Sequence, residues 1–151
     1  AEALKVKAEA VERPPLAPKG HYVFKVTKRS FDTIGNGKWD VVDFQLQGQE
    51  AKEDVDLDEL SKFGGLKSVN LRHRFMFPKE ESDEAQAQFK RTLFNLRRFL
   101  TEHLGLNASG ELRELIDQSI GNQCIANVQW RADQNDPEVF YAEIGRTAPV
   151  A

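Results

Sequence analysis

The sequence predicts an α+β, mostly β fold: five strands with one helical block between the third and the fourth. Three observations carry this. Apolar and polar residues alternate with period two in five separate segments. The period becomes helical from Ser82 to Leu104 and again from Gly110 to Ile120. Glycine- and proline-containing turn signals stand at the boundaries between them.

The first strand begins at Gly20, where HYVFKVTKR sets Tyr22, Phe24 and Val26 against Val23, Lys25, Thr27 and Arg29. Gly35-Asn36-Gly37 supplies the positive φ angles of a hairpin turn. WDVVDFQLQ follows as the second strand, with Val42, Phe44 and Leu46 on one side and Trp39, Val41 and Asp43 on the other. An acidic stretch then leads into a short inserted helix, where Leu57, Leu60 and Phe63 recur before a Gly64-Gly65 stop. SVNLRHRFMF is the third strand, with Val69, Leu71, His73 and Phe75 opposed to Asn70, Arg72, Arg74 and Met76.

Pro78 ends that strand. The helix from Ser82 to Leu104 carries a stripe of Phe89, Leu93, Leu96, Leu100 and Leu104, with acids in its first turn and bases near its end, as the helix dipole favours. A second helix from Gly110 to Ile120 buries Leu112, Leu115 and Ile116. NQCIANVQWR is the fourth strand, with Cys124, Ala126, Val128 and Trp130 on one face. VFYAEIG is the fifth, with Phe140, Ala142 and Ile144 inward. Three strands, a helical block and two strands is the connectivity of a five-stranded OB-like barrel. Residues 1–19, with their PPLAP segment, form an extended N-terminal arm, and 20–151 a single OB-like domain with an acidic insert at 48–67.

The bulk composition narrows the function classes. A chain of 151 residues with 40% hydrophobic and 30% charged residues folds without disulfides or metals. No apolar run spans a membrane and no signal-peptide core opens the chain, so a cytoplasmic location is expected. The net charge is −3, but the charges are segregated. Lys25, Lys28, Arg29 and Lys38 stand against Asp32 alone, whereas 50–59 carries six acids against Lys52.

Catalytic chemistry finds no foothold. His21, His73 and His103 fall on three different elements, without the spacing of a metal site. Cys124 lies in a strand that reads as buried. GNGK lacks the spacing of a phosphate loop, and the acids of 50–59 lack that of a calcium loop. The expectation is a non-enzyme with no cofactor and no metal.

A binder of single strands needs cations along the phosphates and flat side chains for unstacked bases. The first three strands offer both: Lys25 and Arg29 outward on the first, with Lys28 and Phe31 at its end, then Lys38 and Trp39 opening the second, and Arg72 and Arg74 on the third. Trp130, Arg131 and Tyr141 stand near the loop between the last two strands. These eleven residues are the expected nucleic-acid contacts. Trp39 also reads as a cover for a barrel end and Trp130 as core.

The run PPLAPKGHYVFKVTKRSFDTIGNGKWDVVDFQLQG, then SVNLRHRFMFP, a helix ending HLGL, and GNQCIANVQWRADQNDPEVFYAEIGRTAP resembles a family of small phage and prophage single-stranded-DNA-binding-like proteins. The resemblance covers residues 14–149 and implies an OB-type fold and non-catalytic work in phage DNA replication or recombination. It implies Lys25, Arg29, Trp39, Arg72 and Arg74 as DNA contacts, with replication or recombination proteins or further copies of the chain as partners. The alternative is a phage structural or assembly protein of decoration type, making protein–protein contacts through the barrel and the arm. A regulator that mimics DNA through its acidic loop is a third reading.

Overall fold

The protein is described here by a computed structural model that covers residues 2–11 and 14–150. Residues 1, 12 and 13 of the expected arm, and residue 151, lie outside the described residues. Five strands, β1 (Gly20–Ile34), β2 (Trp39–Ala51), β3 (Asn70–Pro78), β4 (Gln123–Ala132) and β5 (Phe140–Ala148), form one antiparallel sheet in the order β3-β2-β1-β4-β5. α1 (Leu57–Phe63) stands between β2 and β3; α2 (Asp83–Arg98) and α3 (Leu112–Gln118) stand between β3 and β4. The class is α+β and mostly β.

The expected closed barrel is corrected to an open sheet. Hydrogen-bonded ladders stop at β3 on one side and β5 on the other. The two free edges run beside each other, separated by two cavities that both strands line. A ladder would need the backbones about 4.8 Å apart, and none joins β3 to β5.

Local chemistry accounts for most boundaries. Gly35, Asn36 and Gly37 all take positive φ and turn β1 into β2. Asp56 caps α1 by accepting from the amides of Asp58 and Glu59, and Gly64 ends it in the left-handed conformation at φ 118°. Ser82 caps α2 by accepting from the Ala85 amide. α2 ends in a π turn, Phe99–His103, in which the Leu104 amide donates to the Phe99 carbonyl.

The stripe expected on the long helix is displaced. Ala85, Thr92, Leu96 and Phe99 face the core, while Phe89 and Leu93 are 42% and 37% exposed. The last two lie roughly 40–80° round the helix from the buried line, on its flank. Phe140 is likewise exposed rather than inward. The core itself joins Phe24, Val26, Phe44, Leu46, Leu100, Leu115 and Cys124 between the sheet and the helices.

The largest departure from simple alternation lies in β1. Val26 pairs with Leu46, and the next pair is Lys28 with Gln45, so Thr27 is an extra residue bulged out of the ladder. Cα partners across a strand pair share a face. Beyond the bulge every side chain of β1 therefore changes sides relative to the pattern read from sequence. Arg29 now lies opposite Phe44 and Phe31 opposite Val42, on the core side, while Lys28 keeps company with Lys25 on the outer side.

The end of the arm is docked. Ala17 and Pro18 are buried, the Pro18 carbonyl accepts from the Tyr22 hydroxyl at 2.7 Å, and the Ala17 carbonyl accepts from Trp130 Nε1 at 2.8 Å. Burial, with the nearby Asp54 charge, pushes the Tyr22 phenol up to about 12. No helix among the described residues is long and apolar enough to cross a membrane.

Candidate nucleic-acid interface

The pairing register places Lys28 of β1, Gln45 of β2 and Arg72 of β3 in one row across the outer face. The next row holds Ser30, Asp43 and Arg74. Lys25 stands on the same face, opposite Gln47. Lys25 and Lys28 have no carboxylate partner among the described residues.

The two arginines share one acid. Arg74 grips Asp43 with two parallel hydrogen bonds, Nε to Oδ1 at 2.8 Å and a terminal nitrogen to Oδ2 at 3.0 Å. Arg72 Nε approaches the same Oδ1 at 3.8 Å. The hydrogen bonds to Asp43 raise the pKa of Arg74 further above its ordinary value, and Asp43 itself is only 12% exposed. Two cations over one carboxylate leave positive charge in surplus. Asp54 of the insert is engaged elsewhere: it accepts from the His21 amide at 2.9 Å and meets its Nδ1 at 2.6 Å, contacts that hold its carboxyl below the usual range.

Across the seam, β4 and β5 contribute the other half. Arg131 pairs with Tyr141 in the register, sits 5.6 Å from its ring centroid, and donates to Glu143 at 2.9 Å. Arg72, Arg74, Arg131 and Tyr141 line one cavity of about 480 Å³ between β3 and β5. Six of the eleven expected residues are thus brought onto one surface: Lys25, Lys28, Arg72, Arg74, Arg131 and Tyr141.

The remaining five are placed apart. Lys38 and Trp39 lie at the hairpin end of the sheet, where Trp39 pairs with Pro78 and its ring packs against Gly35. That is two rows from Arg74, roughly 13 Å along the strand. Arg29 and Phe31 are on the core side because of the bulge, and α3 claims them. Arg29 binds Asp117 at 2.7 Å, and the Arg113 guanidinium lies 4.3 Å from the Phe31 ring centroid. Trp130 faces inward, holds the arm through Ala17, and carries Lys19 over its ring at 4.7 Å.

A second cavity, of about 730 Å³, continues the seam towards α2 and the second half of β5. His73 and Arg74 line both cavities. The His73 ring is enclosed between Phe75 and Phe99, at 4.8 and 5.0 Å between centroids. Burial, aided by His103, pushes its pKa down to about 4. It has no hydrogen-bond partner among the described residues. His103 also sits below its ordinary pKa, chiefly through burial, and its Nδ1 lies 2.7 Å from Thr147 Oγ1. Arg146 enters here from β5, without a carboxylate partner among the described residues.

The sequence reading passed over this cavity. Its signal was a polar line along α2, with Gln88, Thr92 and Asn95 at helical spacing beside an apolar stripe. The thiol of Cys124 is buried, which pushes it up to about 12 and leaves it inert. Comparison with protein-family models and with curated protein sequences finds no match to this chain.

Proposed function

We propose that the protein binds single-stranded DNA without catalysis, along the outer face of β1–β3 and into the cleft between β3 and β5. The observation that carries the reading is the convergence of Arg72, Arg74, Arg131 and the Tyr141 ring on one cleft, beside Lys25 and Lys28, which have no carboxylate partner among the described residues. Surplus cations contact phosphates, and Tyr141 offers a face for a base. Sheet order supports an OB-type relationship as well. An OB barrel opened between its third and fifth strands has the order seen here, with those two strands side by side. The resemblance of the sequence to phage and prophage single-strand binders supports a place for this activity in DNA replication or recombination, in a host cytoplasm.

The test is titration of fluorescent oligothymidine at rising salt. Engagement of about four to six phosphates gives a log–log salt slope of roughly −3 to −4. No binding at low salt would overturn the reading. It would favour the second one, a phage structural or assembly protein, for which a different observation speaks. Phe89, Leu93 and Phe94 are exposed together on α2, next to a small apolar cavity reaching Leu112 of α3.

A further inference from the structure

The 730 Å³ cavity differs in chemistry from the outer face it adjoins. Its floor is aromatic, formed by Phe75 and Phe99. Neutral hydrogen-bonding groups stand in its walls beside Arg74 and Arg98. His73 stays uncharged near neutral pH, so one ring nitrogen donates and the other accepts. Asn95 adds an amide with both capacities, and the exposed Arg146 supplies a cation at the rim.

The His73 ring has no hydrogen-bond partner among the described residues and its nitrogens are not sealed from the cavity, so a ligand seated there can take the place of water on them. The space falls within the range of small-molecule pockets, at roughly 300–1,000 Å³. A flat apolar floor, a donor–acceptor wall and a cationic rim together match a heterocycle attached to an anion. A carboxylate or a bare phosphate would use the rim and leave the wall unsatisfied. A lipid chain would bury His73 and Asn95 against hydrocarbon.

We propose that this cavity is a nucleotide pocket, taking one unstacked base with its 5′-phosphate: the base edge meets His73 and Asn95, and the phosphate meets Arg146. The inference deepens the strand-binding reading and rests on it where the base belongs to a strand, since Arg74 lines both the strand cleft and this pocket. Strand-borne and free nucleotides share the chemistry, and the experiment separates them.

The probes are the four deoxynucleoside 5′-monophosphates and 2-deoxyribose 5-phosphate, added to the full chain while the His73 ring is followed by nitrogen-15 NMR. At least one nucleotide is expected to move the His73 ring signals saturably, and the base-free sugar phosphate to leave them in place. No movement with any nucleotide, or equal movement with the sugar phosphate, overturns the proposal.

The second arm compares oligothymidine and oligodeoxyadenosine with an abasic oligomer of equal length. Asn95→Ala, at an exposed helix position, and His73→Phe, which keeps the ring stack, should each narrow the preference for base-bearing strands by about tenfold. The salt slope of the abasic strand should not change. Unaltered preference in both folded variants overturns the pocket. If nucleotides move His73 but no strand binds at low salt, the pocket stands for free nucleotides and the strand-binding reading fails.

Discussion

The two halves of β1 carry similar residues and end up doing different things. Before the bulge at Thr27, Lys25 faces outward with no carboxylate partner among the described residues; after it, Arg29 and Phe31 face the helices and are held by Asp117 and Arg113. Beyond the bulge, Lys28 is the β1 cation that the shifted register sets on the outer face, in line with Arg72. One inserted residue therefore decides which cations are available to a ligand and which brace α3. A basic strand is a binding surface only where its register delivers the charges together.

The largest effect should come from setting the two groups against each other. Arg72→Glu with Arg74→Glu replaces two outer cations by anions and should weaken oligothymidine binding by at least about a hundredfold at low salt. Arg29→Glu with Arg113→Glu changes the charge by the same amount on the core side and should weaken it less than about fivefold, through the general field alone. Equal losses would erase the distinction between the faces.

A second test concerns β3, where alternation is unbroken and His73 falls between the two outer arginines. Its folded pKa, about 4, lies below the ordinary 6.5, so the unfolded chain takes up the proton first as the medium acidifies. Stability is then fully present above about pH 6.5 and is lost as pH falls towards 4, by about 3 kcal/mol. Urea unfolding at pH 7.5 and pH 4.5 reads this directly, and His73→Phe should remove most of the difference. A slope that persists in the variant would assign the acid sensitivity to carboxylates such as Asp54, whose folded pKa is also lowered.

The contrast between the halves of β1 also marks how far the sequence could be read. Strand order, the turn at Gly35–Gly37, the caps at Asp56 and Ser82 and the stop at Gly64 all rest on local chemistry, and each was legible. The bulge at Thr27 was not, because no glycine marks it; it is visible only in the pairing with β2. The open seam was equally hidden, since closure depends on how β5 leaves β4. Their register shifts between Ala126 and Val128, and Gly145 passes so close to Asn127 that a Cβ would come within 2.6 Å of its amide. Of the candidate site, the type and strand of each cation were readable, but not the carboxylate that Arg72 and Arg74 share or the inward turn of Trp130.

Asp43 gives a smaller effect with opposite signs on two measurements. Asp43→Asn frees Arg72 and Arg74 for phosphates and should tighten oligothymidine binding about three- to tenfold. It also removes the charged acceptor of a bidentate pair at a largely buried position, which should lower unfolding free energy by about 1–3 kcal/mol. Binding that weakens instead would mean that Asp43 orients the guanidinium groups for the ligand rather than competing with it.

The smallest effects separate the two aromatic residues beside the last loop. Tyr141→Ala on the cleft should weaken strand binding by roughly 1–3 kcal/mol while changing stability little, because the ring is nearly half exposed. Trp130→Phe keeps an inward ring but loses the hydrogen bond to Ala17, so it should cost about 1 kcal/mol of stability and leave binding unchanged. Paired melting curves and titrations of the two variants check both at once. If Trp130→Phe weakens binding as much as Tyr141→Ala does, the docked arm contributes to the ligand surface. The functional face would then extend from the cleft around the end of β4 to Lys19, whose ammonium lies over the Trp130 ring.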